Sequence, residues 1–529
     1  MIKRYTAFWL IFGLCLFVFA PTALAHSVSF VEIDALVRRD KVELKVKVRP
    51  EDILLSAGMT IMVADRIEKA LIVKGAEAHK SFLLNGLVLS DADGRRLTGK
   101  VTKVELFAVP EEGITPEDLM SKSAVYSIEY PLAKPPAALG FRQNFHTGDY
   151  TMPVVVQLTL LREGLTSPEA VPVPEDKPEH VAFDWSQAAA VSPRPLGEAP
   201  RGYPGVRAAA RDATEAFVYI QNDEVRIEIL MPLATLEGWQ PIPRANKEFL
   251  EVTEQNAAQA ALETWFTGQN ELKIDGVAVK PKLGRLDFCG IDVQDLAARA
   301  EPKRLAAGTA RVGAILTYST KGAPRHVQLT WTMFHDQAPP VRGVVFAYDK
   351  GSRFSLTTTQ PVFAWDSPGA VPLPKIESVS AQQGAAGDDA RAALAETLLR
   401  NVYRGFDYSK ESDIYDALAQ TVAGDLLTDL YLKIKRGLIV QEQGGAVARV
   451  REVKVTKSEP SAEAVEGGFG ERVIWQVEGT VEHWGHIHTR VNEYTADLGI
   501  TPQEGAWKIV SMKVVRQSQV RSAVSLRKL

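Results

Sequence analysis

The 529-residue sequence has only two cysteines, Cys15 and Cys289, and after its first twenty residues no run of eighteen apolar residues. No later segment is therefore expected to enter a membrane as a helix. Charge of one sign is also missing. Lys and Arg number 61 against 65 Asp and Glu, for a formal net charge of −4. A nucleic-acid partner would need a clustered basic footprint, so that class is set aside. The chemical signatures HExxH, GxSxG, a P-loop, an EF-hand loop and a helix-linked GxGxxG are all absent. The acidic turn Ser90-Asp91-Ala92-Asp93-Gly94 lacks the remaining calcium ligands and reads as an ordinary Asp-Gly turn. No catalytic residue is assigned.

What is present begins at the first residues. Lys3 and Arg4 precede an apolar stretch from Ala7 to Ala20, then Pro21 and the small-residue pattern Ala23-Leu24-Ala25. This is the three-part pattern of a secretory signal peptide over residues 1–25. It predicts a periplasmic or secreted protein with no transmembrane segment after cleavage. Leu14 before Cys15 is too bulky for a lipid-attachment site. Cleavage leaves Cys289 alone, which excludes an internal disulfide and favours a buried structural thiol.

Two Pro/Gly-rich stretches, 191–212 and 371–389, divide the mature chain. The segments 26–190 and 213–370 look like copies. Phe30-Val31-Glu32-Ile33 and Val42 to Val48 match Phe217-Val218-Tyr219-Ile220 and Val225 to Met231. A helix candidate follows in each (Asp65 to His79; Leu250 to Phe266), and each closes on Phe-x-Trp, at Trp185 and Trp365. Short alternating strands with one helix predict two related β-sandwich-like domains. The closing aromatic pair is expected to plug the core of each copy.

Beyond residue 389 the pattern changes to three helices, beginning near Ala390, Glu411 and Asp425, followed by four strands. The predicted fold class is thus mainly β with an α+β C-terminal module over 390–518, trailed by a basic tail at 519–529. The turn and last strand Glu504-Gly505-Ala506-Trp507-Lys508-Ile509 resemble the cystatin-like roll of the nuclear-transport-factor-two-like superfamily. That resemblance implies helices packed in the cup of a curved sheet. Some members of the superfamily are enzymes with Asp/His pairs in the cup, while many others bind partners or small ligands.

Three of nine histidines fall in Glu482-His483-Trp484-Gly485-His486-Ile487-His488. A two-residue turn at Trp484-Gly485 would put all three imidazoles on one sheet face, a set able to bind copper, zinc or nickel. Trp484 would then need a positive φ. A three-residue loop instead removes His483 from the face. Acid–base use of the cluster would require a carboxylate, with Glu493 or Asp407 as candidates. His26 would be the first residue after cleavage, resembling the terminal histidine of the copper-binding histidine brace. The expected function is an exported binding or scaffold protein, without an assigned cofactor, whose partner is an envelope protein or small ligand. A transition-metal-handling protein is the first alternative. A lyase, isomerase or hydrolase using the C-terminal roll is the second.

Overall fold

A computed structural model describes residues 29–186, 213–290, 302–369 and 376–529, apart from short internal stretches. The expected signal peptide, His26 and most of both linkers lie outside the described residues. No helix among the described residues is long and apolar enough to cross a membrane.

The chain is mainly β. Its first module carries a six-stranded sheet in the order Lys100–Glu105, Ala124–Pro131, Lys41–Val48, Ser29–Val37, Val154–Arg162, Glu169–Val171. The Ser29–Val37 and Val154–Arg162 strands run parallel, and the other neighbours antiparallel. Strict alternation in Lys41–Val48 sends Val42, Leu44, Val46 and Val48 inward. They meet Leu87, Leu89, Leu139 and Phe141 of a three-stranded sheet, and Ala76 and Leu83 of the helix Lys69–Gly86. On the outer face, Lys47 pairs with Glu32 at 2.9 Å and Lys41 with Glu43 at 2.6 Å.

The second module repeats this plan. Its six-stranded sheet runs Lys282–Cys289, Arg311–Ser319, Glu224–Pro232, Glu215–Ile220, Val341–Ala347, Lys350–Leu356. The parallel pair again occupies the fourth and fifth places. A smaller sheet and the helix Val252–Gly268 cover its inner face, where Leu262, Phe266, Leu272 and Leu329 join the core. The closing aromatics Phe183, Trp185 and Trp365 pack half-buried against their cores, and Phe363 is buried. The copies differ on their outer faces. All six residues of Glu215–Ile220, and all but the first of Glu224–Pro232, are buried, so the outer face of this sheet is covered too.

The cover comes from the third module, joined by Val155 of the first. Helices Asp388–Arg404, Glu411–Ala419 and Asp425–Gly444 precede an antiparallel sheet of Val447–Pro460, Phe469–His483, His486–Gln503 and Ala506–Leu526. The helices bury Leu398, Leu399, Val402, Leu430 and Ile434 against Val473, Trp475, Tyr494 and Ile500. Residues 519–526, expected within a basic tail, instead complete the last strand. They are ordered because the 18-residue strand His486–Gln503 needs a partner along its whole length, down to the His486–Leu526 pair. The first module adds the short strand Ile61–Met62 beside Val524 and Ala523.

Candidate functional site

The histidine hairpin lies at the joint between the modules. His483 pairs directly with His486, so the turn has two residues, with φ of 49° at Trp484 and 77° at Gly485. Of the two loops the sequence allowed, the structure adopts the one that strains a tryptophan. A non-glycine residue held in the left-handed region costs about 1–3 kcal/mol. Burying an indole of about 200 Å² returns about 5 kcal/mol. Burial wins, and Trp484 is 1% exposed.

The indole enters the outer face of the second module's sheet. It meets Phe217 edge-on, with ring centroids 6.3 Å apart, among Leu230, Cys289, Ile315, Val344 and Phe346. Gly313 provides the room, since a Cβ there would stand 3.1 Å from two ring carbons of Trp484. Cys289 is buried in this cluster, as a structural thiol should be.

Polar contacts complete the socket. The Trp484 amide donates to Glu228 Oε2 at 2.5 Å, and the Gly485 amide donates to the Tyr219 hydroxyl at 3.1 Å. Arg226 donates to the Glu482 carbonyl at 2.9 Å, pairs with Glu228 at 3.2 Å and lies 4.4 Å over the Tyr219 ring. Arg527 bonds both the Glu482 carboxylate and the Tyr348 carbonyl, clasping the hairpin from the last strand. Burial pushes the Glu228 carboxyl up to about 7 despite Arg226 beside it.

The three histidines share one face, as the two-residue turn requires, and all are buried. The His483 and His488 rings stack with centroids 4.7 Å apart and planes 16° apart. Nitrogen lone pairs lie in the ring plane, so near-parallel stacked rings do not aim at one ion. Among the described residues, no group of three His, Cys, Asp or Glu side chains is arranged to hold a metal. Burial holds His483 well below the usual imidazole range, with the other two histidines and Arg285 and Arg226 adding to the effect. Burial likewise lowers His488 to about 3. His486 Nδ1 lies 3.2 Å from the Trp484 carbonyl.

The carboxylates considered for acid–base chemistry are placed elsewhere. Glu493 accepts from Gln476 at 3.0 Å, and Asp407 ends a 3₁₀ turn at Gly405–Asp407. Between the helices and the sheet of the third module, buried Trp475 donates to the Tyr403 hydroxyl at 3.3 Å and stacks on Tyr494 at 5.4 Å. No motif in the sequence singles out Tyr219, Arg226 or Glu228. Their signal is the contrast between copies, in which Tyr219 stands where the first copy has Glu32.

No protein-family model matches the chain, and no curated protein does. Among solved structures, the chain is similar to the intermembrane space region of chloroplast protein ARC6, at 20% identity and a TM-score of 0.17. That likeness covers 23% of this chain and 95% of the other. At so low a score it carries no argument.

Proposed function

We propose that this chain is an exported, soluble, multi-domain binding or scaffold protein of the cell envelope. One observation carries the reading: the most chemically suggestive motif in the sequence, the histidine hairpin, is buried as the joint that fastens the third module to the second. A motif sealed between modules serves assembly rather than turnover. The sheet plan that recurs on either side of the first linker supports a duplicated module, an arrangement suited to presenting surfaces. The third module is read as a cystatin-like roll whose cup holds core aromatics rather than an open pocket.

The test is recovery of the chain from its native compartment, with intact-mass measurement and crosslinking. The reading expects residues 1–25 to be gone and the chain to form a stoichiometric complex with an envelope protein or a small ligand. A chain that keeps Met1 in the cytoplasm, or turns over a substrate through Glu493 or Asp407, overturns it.

A further inference from the structure

The sheet face opposite the imidazoles carries cations that the joint does not neutralise. Side chains alternate along Phe469–His483, so Glu482 and Thr480 point away from His483. On that face Glu482 is gripped by Arg451 at 3.0 Å and by Arg527. Arg451 also donates to Thr480 Oγ1 at 3.3 Å, which leaves the Thr480 hydroxyl hydrogen available for donation. Arg449 pairs in register with Thr480 on the neighbouring strand and so stands on the same face, two residues from Arg451.

Arg449 is half-buried, and among the described residues it makes no ion pair. Its surroundings are short of negative charge. Among the described residues, Glu482 is the carboxylate that acts on it, against Arg451, Arg226 and Arg527. Two of those arginines already share Glu482, and Arg226 faces Glu228 and Glu224. Burial and these like charges hold the Arg449 guanidinium below its ordinary range. A crowded guanidinium group of this kind is stabilised most by an oxyanion that meets several N–H forks at once.

We propose that Arg449 and Arg451, with the Thr480 hydroxyl, form an anion site at the rim of the joint that takes a phosphate-class dianion. A tetrahedral dianion presents several acceptor oxygens, each able to accept more than one hydrogen bond, to two guanidinium forks and one hydroxyl. Its charge also offsets the surplus that one further carboxylate would leave in part. Free phosphate and the phosphomonoester headgroup of phosphatidic acid share this chemistry. The inference goes beyond the envelope reading and survives its failure, because localisation and phosphate titration are separate measurements.

The experiment is calorimetric titration of the full chain with inorganic phosphate against chloride at matched ionic strength. A second arm measures co-sedimentation with phosphatidylcholine vesicles with and without phosphatidic acid. Saturable binding in either arm is expected, and the arm that responds identifies the source. Arg449→Gln should weaken it at least tenfold, the effect of losing one charge-assisted contact. Arg449→Lys, which keeps the charge without the fork, should weaken it less and guards against a folding defect. Exposed Lys457→Gln should leave it unchanged. No phosphate response above chloride in either arm, or equal binding by Arg449→Gln, overturns the site.

Discussion

Trp484 and Glu228 stand 256 positions apart, yet the amide of one donates a 2.5 Å hydrogen bond to the carboxylate of the other inside a buried interface. The bond joins a strained turn to the middle of a strand in another module. Because the φ of Trp484 is favourable only when its ring is covered, the turn and the docking support each other.

Removing the ring should open the joint without dissolving the modules. Trp484→Ala is expected to cost about 3–5 kcal/mol of docking stability, the range for truncating a buried aromatic. Cys289 lies in the same cluster, so its reaction with a thiol reagent should rise at least tenfold in protein processed at Ala25. Unchanged labelling, with normal circular dichroism, would show that the hairpin is not a fastener.

The Arg226–Glu228 pair should behave as a unit. Glu228→Ala leaves a buried guanidinium without its carboxylate, at a cost of about 3–5 kcal/mol. Replacing both, as Arg226→Met with Glu228→Leu, removes both buried charges and should cost less than the two single changes added together. A double-mutant cycle in urea measures the coupling. Strict additivity would mean that the two residues act separately.

Much of the fold was legible because it rests on local alternation. Lys41–Val48 reads as polar-out and apolar-in, and it folds that way because water covers its outer face. Glu224–Pro232 begins with the same alternation, yet Arg226 and Glu228 are buried because a distant module lies over them. Periodicity reports which side of a strand meets its own core, and is silent on what later docks on the other side. The histidines illustrate the same limit. Their shared face follows from a two-residue turn, whereas their burial comes with a joint in which the adjacent Gly485 amide meets Tyr219, 266 positions away. The open choice of turn was settled by tertiary burial overriding the backbone preference of a tryptophan.

Acid should loosen the joint, with a sign that can be worked out. His483 and His488 are depressed in the folded state, so the unfolded chain binds more protons below an ordinary imidazole value of about 6.5. Their stabilising contribution is present above that pH and is lost as pH falls toward 3, by up to tenfold per pH unit for each group. Glu228 is raised to about 7, so its contribution runs the other way between about 4.5 and 7. Two imidazoles against one carboxyl leave a net loss of stability on acidification. Urea midpoints between pH 7 and 4.5 should fall, and Glu228→Gln should steepen the fall. In the His483→Gln, His488→Gln double variant the slope should flatten, leaving the buried His79 of the first module as a remaining contributor. An identical slope in that variant would rule the two histidines out as its source.

Metal titration separates the hairpin from the processed N-terminus. The His483 and His488 rings stack and all three histidines are buried, so His483, His486 and His488 should not bind copper, zinc or nickel stoichiometrically. A metal held by the folded state would raise the melting temperature with concentration, by a free energy that grows as the logarithm of metal over its dissociation constant. The melting temperature of protein that still carries residues 1–25 is therefore expected to be indifferent to these metals. His486→Ala and His488→Ala should leave that indifference unchanged. Protein cleaved after Ala25 presents the free amine and imidazole of His26, so a copper response found only there would belong to the terminus. A response in the uncleaved chain that His488→Ala abolishes would instead show that the rings rearrange around an ion, and that the joint is also a metal centre.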